Sequence, residues 1–199
     1  MKRIGFVLLL IVVLAACKQT ESDTASATST DTAAMTSTET ASADTAATAS
    51  AATSTVPAND LSFATTASMA NLYEIEASKL AGTKATGAAY KEFAQTMVTQ
   101  HTEIGDSYKP IAEKQGLPMP TALDGDFKAQ YDQLVAAAAG NAFDALYRSQ
   151  MVSSHTAAVG LFQTEADSGQ DPELKAFAAK WLPTVQHHLE MANALPQAQ

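Results

Sequence analysis

Cysteine is almost missing from this chain. Its 199 residues include one, Cys17, so no disulfide framework holds the fold. Basic residues are also scarce: 12 Lys and Arg face 21 Asp and Glu, for a formal net charge of −9. Sequence-independent nucleic-acid binding needs clustered Lys and Arg, and so does electrostatic docking on anionic lipid, so the balance argues against both. Long apolar runs are limited to Ile4–Leu14, shorter than the roughly 20 residues that span a bilayer. No stretch alternates with period two, so no sheet is expected. There is no Gly-rich phosphate loop and no Cys-x-x-Cys-His haem motif.

What is present divides the chain in three. Lys2 and Arg3 precede the apolar run, which ends at Leu14-Ala15-Ala16-Cys17. A basic start, a short apolar core and small residues before a cut make a secretory signal. The ending resembles the lipobox of bacterial lipoproteins, which implies cleavage after residue 16 and lipidation of Cys17. Lys18 in place of Asp after the cysteine resembles outer-membrane sorting. The expected address is therefore the cell envelope, lipid-anchored and facing the periplasm. Residues 17–59 then form a tether, since 31 of the 42 residues after Cys17 are Thr, Ala or Ser. Such a composition cannot offset the entropy of ordering. As a flexible coil it spans roughly 35–40 Å, and a glycosylated stalk is the alternative reading.

Residues 60–199 are the only part able to bury a core. With 9 basic and 16 acidic residues, this part is acidic as well. Its apolar positions recur at helical spacing. Four long helices are predicted: Leu61–Ala81 opened by Asp60 as N-cap, Ala88–Gln115 closed by Gly116, Asn141–Asp167, and one opened by Asp171 with Pro172 in its first turn. Pro110 is expected to kink or end the second, and Pro183 to bend the fourth. A shorter helix over Asp126–Ala139 carries the chain back along the bundle. The fold class is thus all-α: a four-helix bundle with a crossover helix and parallel second and third long helices. Ala67, Ala70, Ala77 and Ala81 share one face of the first helix, where small side chains permit close helix approach.

On helical wheels His101, His155 and His188 each fall mid-stripe on the apolar face of a different helix, while His187 points away. Single buried histidines are usually hydrogen-bonded core residues. Three on converging faces raise a site for a transition metal, because neutral imidazole is a common ligand of zinc, iron and copper. Glu74 or Glu76 adds a carboxylate from the first helix, and Asp144 lies on the His155 face three turns earlier. Acidic residues on helix faces are most often solvated, and that reading stands beside the functional one for all three. The residues three before each histidine are valines, so the Glu-x-x-His pattern of di-iron bundles is absent. Counting from the helix ends puts His101 and His155 level, with His188 and Glu74 roughly 10 Å away along the axis. That predicts at most a pair of ligands or two layers. Met97, Met151 and Met191, one turn from the histidines, are expected as core filler.

Asn71–Ala81, Phe93–His101, Phe143–Tyr147 with Met151 and His155, and Leu174–Ala178 through His188 and Leu189 resemble the bacterial family DUF4142. The resemblance covers nearly all of the helical part. It implies a ferritin-like bundle that is often exported or lipid-anchored, and it implies no activity. It selects Glu74 over Glu76, alongside His101, Asp144, His155 and His188. Family members often carry Asp before the histidine of the second helix, where this chain has Gln100. The preferred functional expectation is a non-enzymatic envelope lipoprotein whose bundle binds an envelope protein or small ligand, or serves stress tolerance. The alternative is a metal-binding or redox bundle using Glu74, His101, His155 and His188. A ligand pocket between the helices is a third possibility, which an uninterrupted side-chain-filled core would exclude.

Overall fold

The computed structural model describes residues 56–197. The signal, Cys17 and almost all of the tether lie outside the described residues. Five helices follow in order: α1 Ala58–Lys84, α2 Ala88–Gln115, α3 Gly125–Ala136, α4 Asn141–Ser168 and α5 Pro172–Ala194. No strand occurs among the described residues, and none of these helices is long and apolar enough to cross a membrane.

Local chemistry explains most of the helix ends. Gly116 closes α2 in the left-handed conformation at φ 65°, which costs glycine no Cβ clash. Asp171 caps α5 by accepting from the Glu173 and Leu174 amides at 3.0 and 2.9 Å. At α1 the expected cap is corrected. The helix starts at Ala58 behind Pro57, with Asp60 inside its first turn. The Asp60 carboxylate instead accepts from the Gln170 and Asp171 amides before α5, so the first helix is tied to the fourth turn of the chain. Neither interior proline ends its helix. Pro110 and Pro183 are exposed, as are Asp106 and Ala179 four residues before them, so solvent can reach the carbonyls that lose their bonds.

The long helices pack as a closed square, α1 on α2 and α4, and α5 on α2 and α4, with α3 laid over α1 and α4. Asp144 in the first turn of α4 accepts from Thr86 N, Thr86 Oγ1 and Gly87 N at the start of α2. Those two helices therefore begin at the same end and run parallel, as the crossover requires. Lys84 Nζ, at the end of α1, donates to the carbonyls of Leu134, Val135 and Ala137 and so caps α3.

The core is in two parts. One gathers Tyr73, Ala77, Phe93, Met97, Phe143, Tyr147 and Met151 near the α2 and α4 N-termini. The other gathers Phe63, Ile104, Phe162, Leu174, Phe177 and Val185 at the opposite end. Met97 and Met151 are fully buried filler, and Met191 packs against the first cluster. Between the two clusters lies a polar layer.

Candidate metal centre

That layer is made by the middle turns of the four long helices. Glu74 comes from α1, His101 from α2, His155 from α4 and His188 from α5, each no more than 3 % exposed. The ring centroids of His101, His155 and His188 lie 5.0–5.6 Å apart. One ligand nitrogen from each falls within 4.8 Å of the other two.

The predicted 10 Å offset is therefore overturned, and helix length is the reason. α1 runs a turn beyond Ala81 to Lys84, which sets Glu74 about 15 Å below the α1–α2 connection, against about 20 Å for His101. α5 is 23 residues long and α4 is 28. Arg148, two turns into α4, donates to the Asn193 and Leu195 carbonyls. The end of α5 is thus level with Arg148 and not with the start of α4, which slides His188 to the depth of His155.

The outer nitrogen of each ring faces an acceptor. His155 Nδ1 donates to the Met151 carbonyl at 2.9 Å. His101 Nδ1 lies 3.0 Å from Asn71 Oδ1 and 3.3 Å from Glu74 Oε2. His188 Nε2 lies 2.5 Å from Gln100 Oε1. The Met151 carbonyl can only accept, so His155 carries its proton on Nδ1, and Glu74 favours the same for His101, whereas the Gln100 amide suits either tautomer of His188. With Gln100 accepting, the inner nitrogens His101 Nε2, His155 Nε2 and His188 Nδ1 all present lone pairs; with Gln100 donating, His188 Nδ1 donates to His101 Nε2 and His155 Nε2 alone is left bare. His155 Nε2 is buried and has no hydrogen-bond partner. His101 Nε2 and His188 Nδ1 are 3.2 Å apart. Two nitrogens on one tetrahedral ion at about 2.0–2.1 Å stand roughly 3.3 Å from each other.

Burial drives the His101 pKa well below the ordinary histidine value, and neighbouring His155 and His188 push the same way. Burial, with His155 and His187 beside it, brings His188 down to about 3. Both rings are accordingly neutral, the form that binds metals.

Glu74 does not reach the inner side of the cluster. Its Oε1 accepts from Ser154 Oγ at 2.6 Å and stands 3.6 Å from His155 Nδ1, while Oε2 faces His101. It orients two rings from behind, the arrangement that raises ligand basicity in histidine metal sites. Glu76 is solvated and pairs with Lys79 at 2.8 Å. Reading all three carboxylates as solvated therefore fails for Glu74 and Asp144, which are 2 % and 3 % exposed. Asp144 belongs to the α2–α4 connection described above. His187 is at the surface beside Glu190.

Two participants, Asn71 and Ser154, escaped the sequence reading, and the partner of a third, Gln100, did too. Asn71 lies three residues before Glu74 and hence on its face, a signal that was there to use. A methyl group at Gly105 would press within 3.2 Å of Asn71 Nδ2, so the glycine makes room for this side chain. Ser154 precedes His155 and turns toward α1. Gln100, noted in the sequence as standing where the family often has Asp, is adjacent to His101 yet serves His188 from across the bundle, and nothing local announces that partner.

A cavity of about 630 Å³ opens beside the layer, between α1 and α4 and under the α2–α3 connection. Asn71, Glu74, His101 and Ser154 line its inner end. Here too the expectation is corrected. Ala77 and Ala81 do bring helices together in the core, but Ala67 and Ala70 line the cavity with Ala157 and Ala158 of α4. Small side chains on both facing helices leave a hollow instead of a contact.

Neither the curated proteins nor the solved structures include a match to this chain. The family model of DUF4142, described as a domain of unknown function, matches residues 43–195. The matched range includes the helices, the three histidines and Glu74, and the chain belongs to the DUF4142 family.

Proposed function

We propose that this chain is a metal-binding module of the cell envelope, whose bundle holds one transition-metal ion among His101, His155 and His188. One observation carries the reading: buried imidazole nitrogens from three helices lie within 4.8 Å of one another, and one of them, His155 Nε2, has no hydrogen-bond partner. Without an ion, His155 Nε2 is a bare polar atom in the core, which costs about 1–3 kcal/mol. Three neutral imidazoles suit zinc, copper or iron and leave a tetrahedral ion one further position. Glu74 and Asn71 hold His101, Glu74 and the Met151 carbonyl hold His155, and Gln100 holds His188. The Leu-Ala-Ala-Cys ending and the Thr/Ala/Ser-rich stretch support delivery of this module on a lipidated Cys17 at the outer membrane. Labelled palmitate incorporated by the chain and not by its Cys17→Ser variant checks that address.

The central test uses the full chain carrying Cys17→Ser, purified without a His-tag or chelator. Elemental analysis and zinc titration should give about one equivalent per chain, lost in His155→Ala while helical circular dichroism is unchanged. A protein that takes up no metal, or an unchanged affinity in His155→Ala, overturns the reading. Function would then rest with a protein partner.

A further inference from the structure

We propose that the cavity between α1 and α4 takes a small, mainly apolar molecule whose polar head donates a hydrogen bond, an alcohol, phenol or amine, and that it rejects carboxylic acids. The volume of about 630 Å³ lies within the range of small-molecule sites, and the mix of apolar walls with a few convergent polar groups is theirs as well. Ala67, Ala70, Ala158 and Leu161 form the sides, with Ile104 and Phe162 beneath. Met119 and Phe127, carried by the α2–α3 connection and the start of α3, lie at the mouth. Met119 is 44 % exposed, one of two large apolar side chains left in water among the described residues. An apolar occupant would cover it.

Charge selects the head group. Glu74 stands at the inner end, where Asn71 and Ser154 are the neutral polar neighbours, and Asp106 and Asp126 stand at the rim. The one cation in the lining, Lys109, is shared with Glu113 at 3.8 Å. An anionic head would enter against three carboxylates and lose its hydration, with a single, already paired and solvent-exposed lysine at the lining and no cation at the inner end. A hydroxyl or amino group would meet acceptors instead. This inference stands apart from the metal reading, since walls, mouth and charge are in place whether or not the histidines hold an ion.

The probe is 1-aminoanthracene, flat, apolar and neutral at pH 7, with anthracene-1-carboxylate as the acid of the same shape. Fluorescence titration of the Cys17→Ser chain, with and without added zinc, should show saturable one-to-one uptake of the amine. The acid should bind at least about ten-fold more weakly. Ala70→Phe fills the hollow and should weaken the amine by about ten-fold or more, and Ala158→Leu should do so from the opposite wall if the first variant folds poorly. Glu74→Gln should narrow the gap between acid and amine. No saturable uptake, equal binding of the acid, or undiminished uptake in folded Ala70→Phe and Ala158→Leu overturns the proposal. Uptake by a protein that binds no zinc upholds it and removes only the metal reading.

Discussion

Gln100 Oε1 ends a run of acceptors behind the histidine layer and, being an amide like Asn71, it can exchange roles in place. With the carbonyl oxygen inward, His188 carries its proton on Nε2 and presents Nδ1 to the cluster. With the amide turned over, its NH₂ donates to Nε2, the proton moves to Nδ1, and His188 donates across the 3.2 Å to His101. The same side chain thus serves His188 with an ion or without one, while His155 Nε2 is partnered only by an ion. Gln100→Ala should weaken zinc binding by about 10–100-fold, and Gln100→Asp, which fixes an acceptor there, should bind at least as tightly as the parent. Zinc titration against thermal melting separates this from a packing role, which would lower the melting temperature and leave affinity alone.

Among the elements, the α2–α4 connection gives the sharpest contrast between two carboxylates that look alike in sequence. Asp144 is buried and holds three donors of the Thr86–Gly87 turn, whereas Glu76 meets Lys79 in water. Asp144→Ala should cost about 1–3 kcal/mol in urea unfolding, because three part-buried donors lose their acceptor. Asp144→Asn should cost less, and Glu76→Gln under about 0.5 kcal/mol. Periodicity, Gly116, Asp171 and Pro172 made the helices legible, α2 to the residue, because those signals act within a turn or two of themselves. Asp60 was misread because its partners lie 110 residues away. The depth of Glu74 and His188 was illegible for a related reason. It depends on where α5 stops against α4, and Arg148 settles that through carbonyls 45 and 47 residues further on. The three histidines could be named from their wheels, and their meeting could not.

At the scale of the whole molecule, the end of the bundle away from α3 gathers three carboxylates. Burial raises the pKa of Glu165 on α4 to about 7, Asp60 of α1 and Asp171 before α5 add to it, and Lys175 of α5 opposes. A carboxyl whose folded pKa lies above its unfolded value near 4.5 favours folding while it is protonated. That contribution is complete below about pH 4.5 and is lost as pH rises through about 7. Urea unfolding should accordingly show a loss on the order of 2–3 kcal/mol between pH 5 and pH 8. Glu165→Gln should flatten that slope and be the more stable protein at pH 8. A parent and variant with parallel pH profiles would remove Glu165 as the cause.

The polar layer has one more consequence, mechanical in kind. His101 belongs to the α1–α2 hairpin, while His155 and His188 belong to the α4–α5 hairpin, and each hairpin closes through its own short turn. An ion on these three residues is a rivet driven through two plates whose one covalent link is the α3 strap. It clips shut a loop of more than fifty residues between His101 and His155, so the free energy of binding resists the parting of the plates and leaves the melting of either one almost untouched. Withdrawing the rivet leaves packing and hydrogen bonds to hold the two hairpins together.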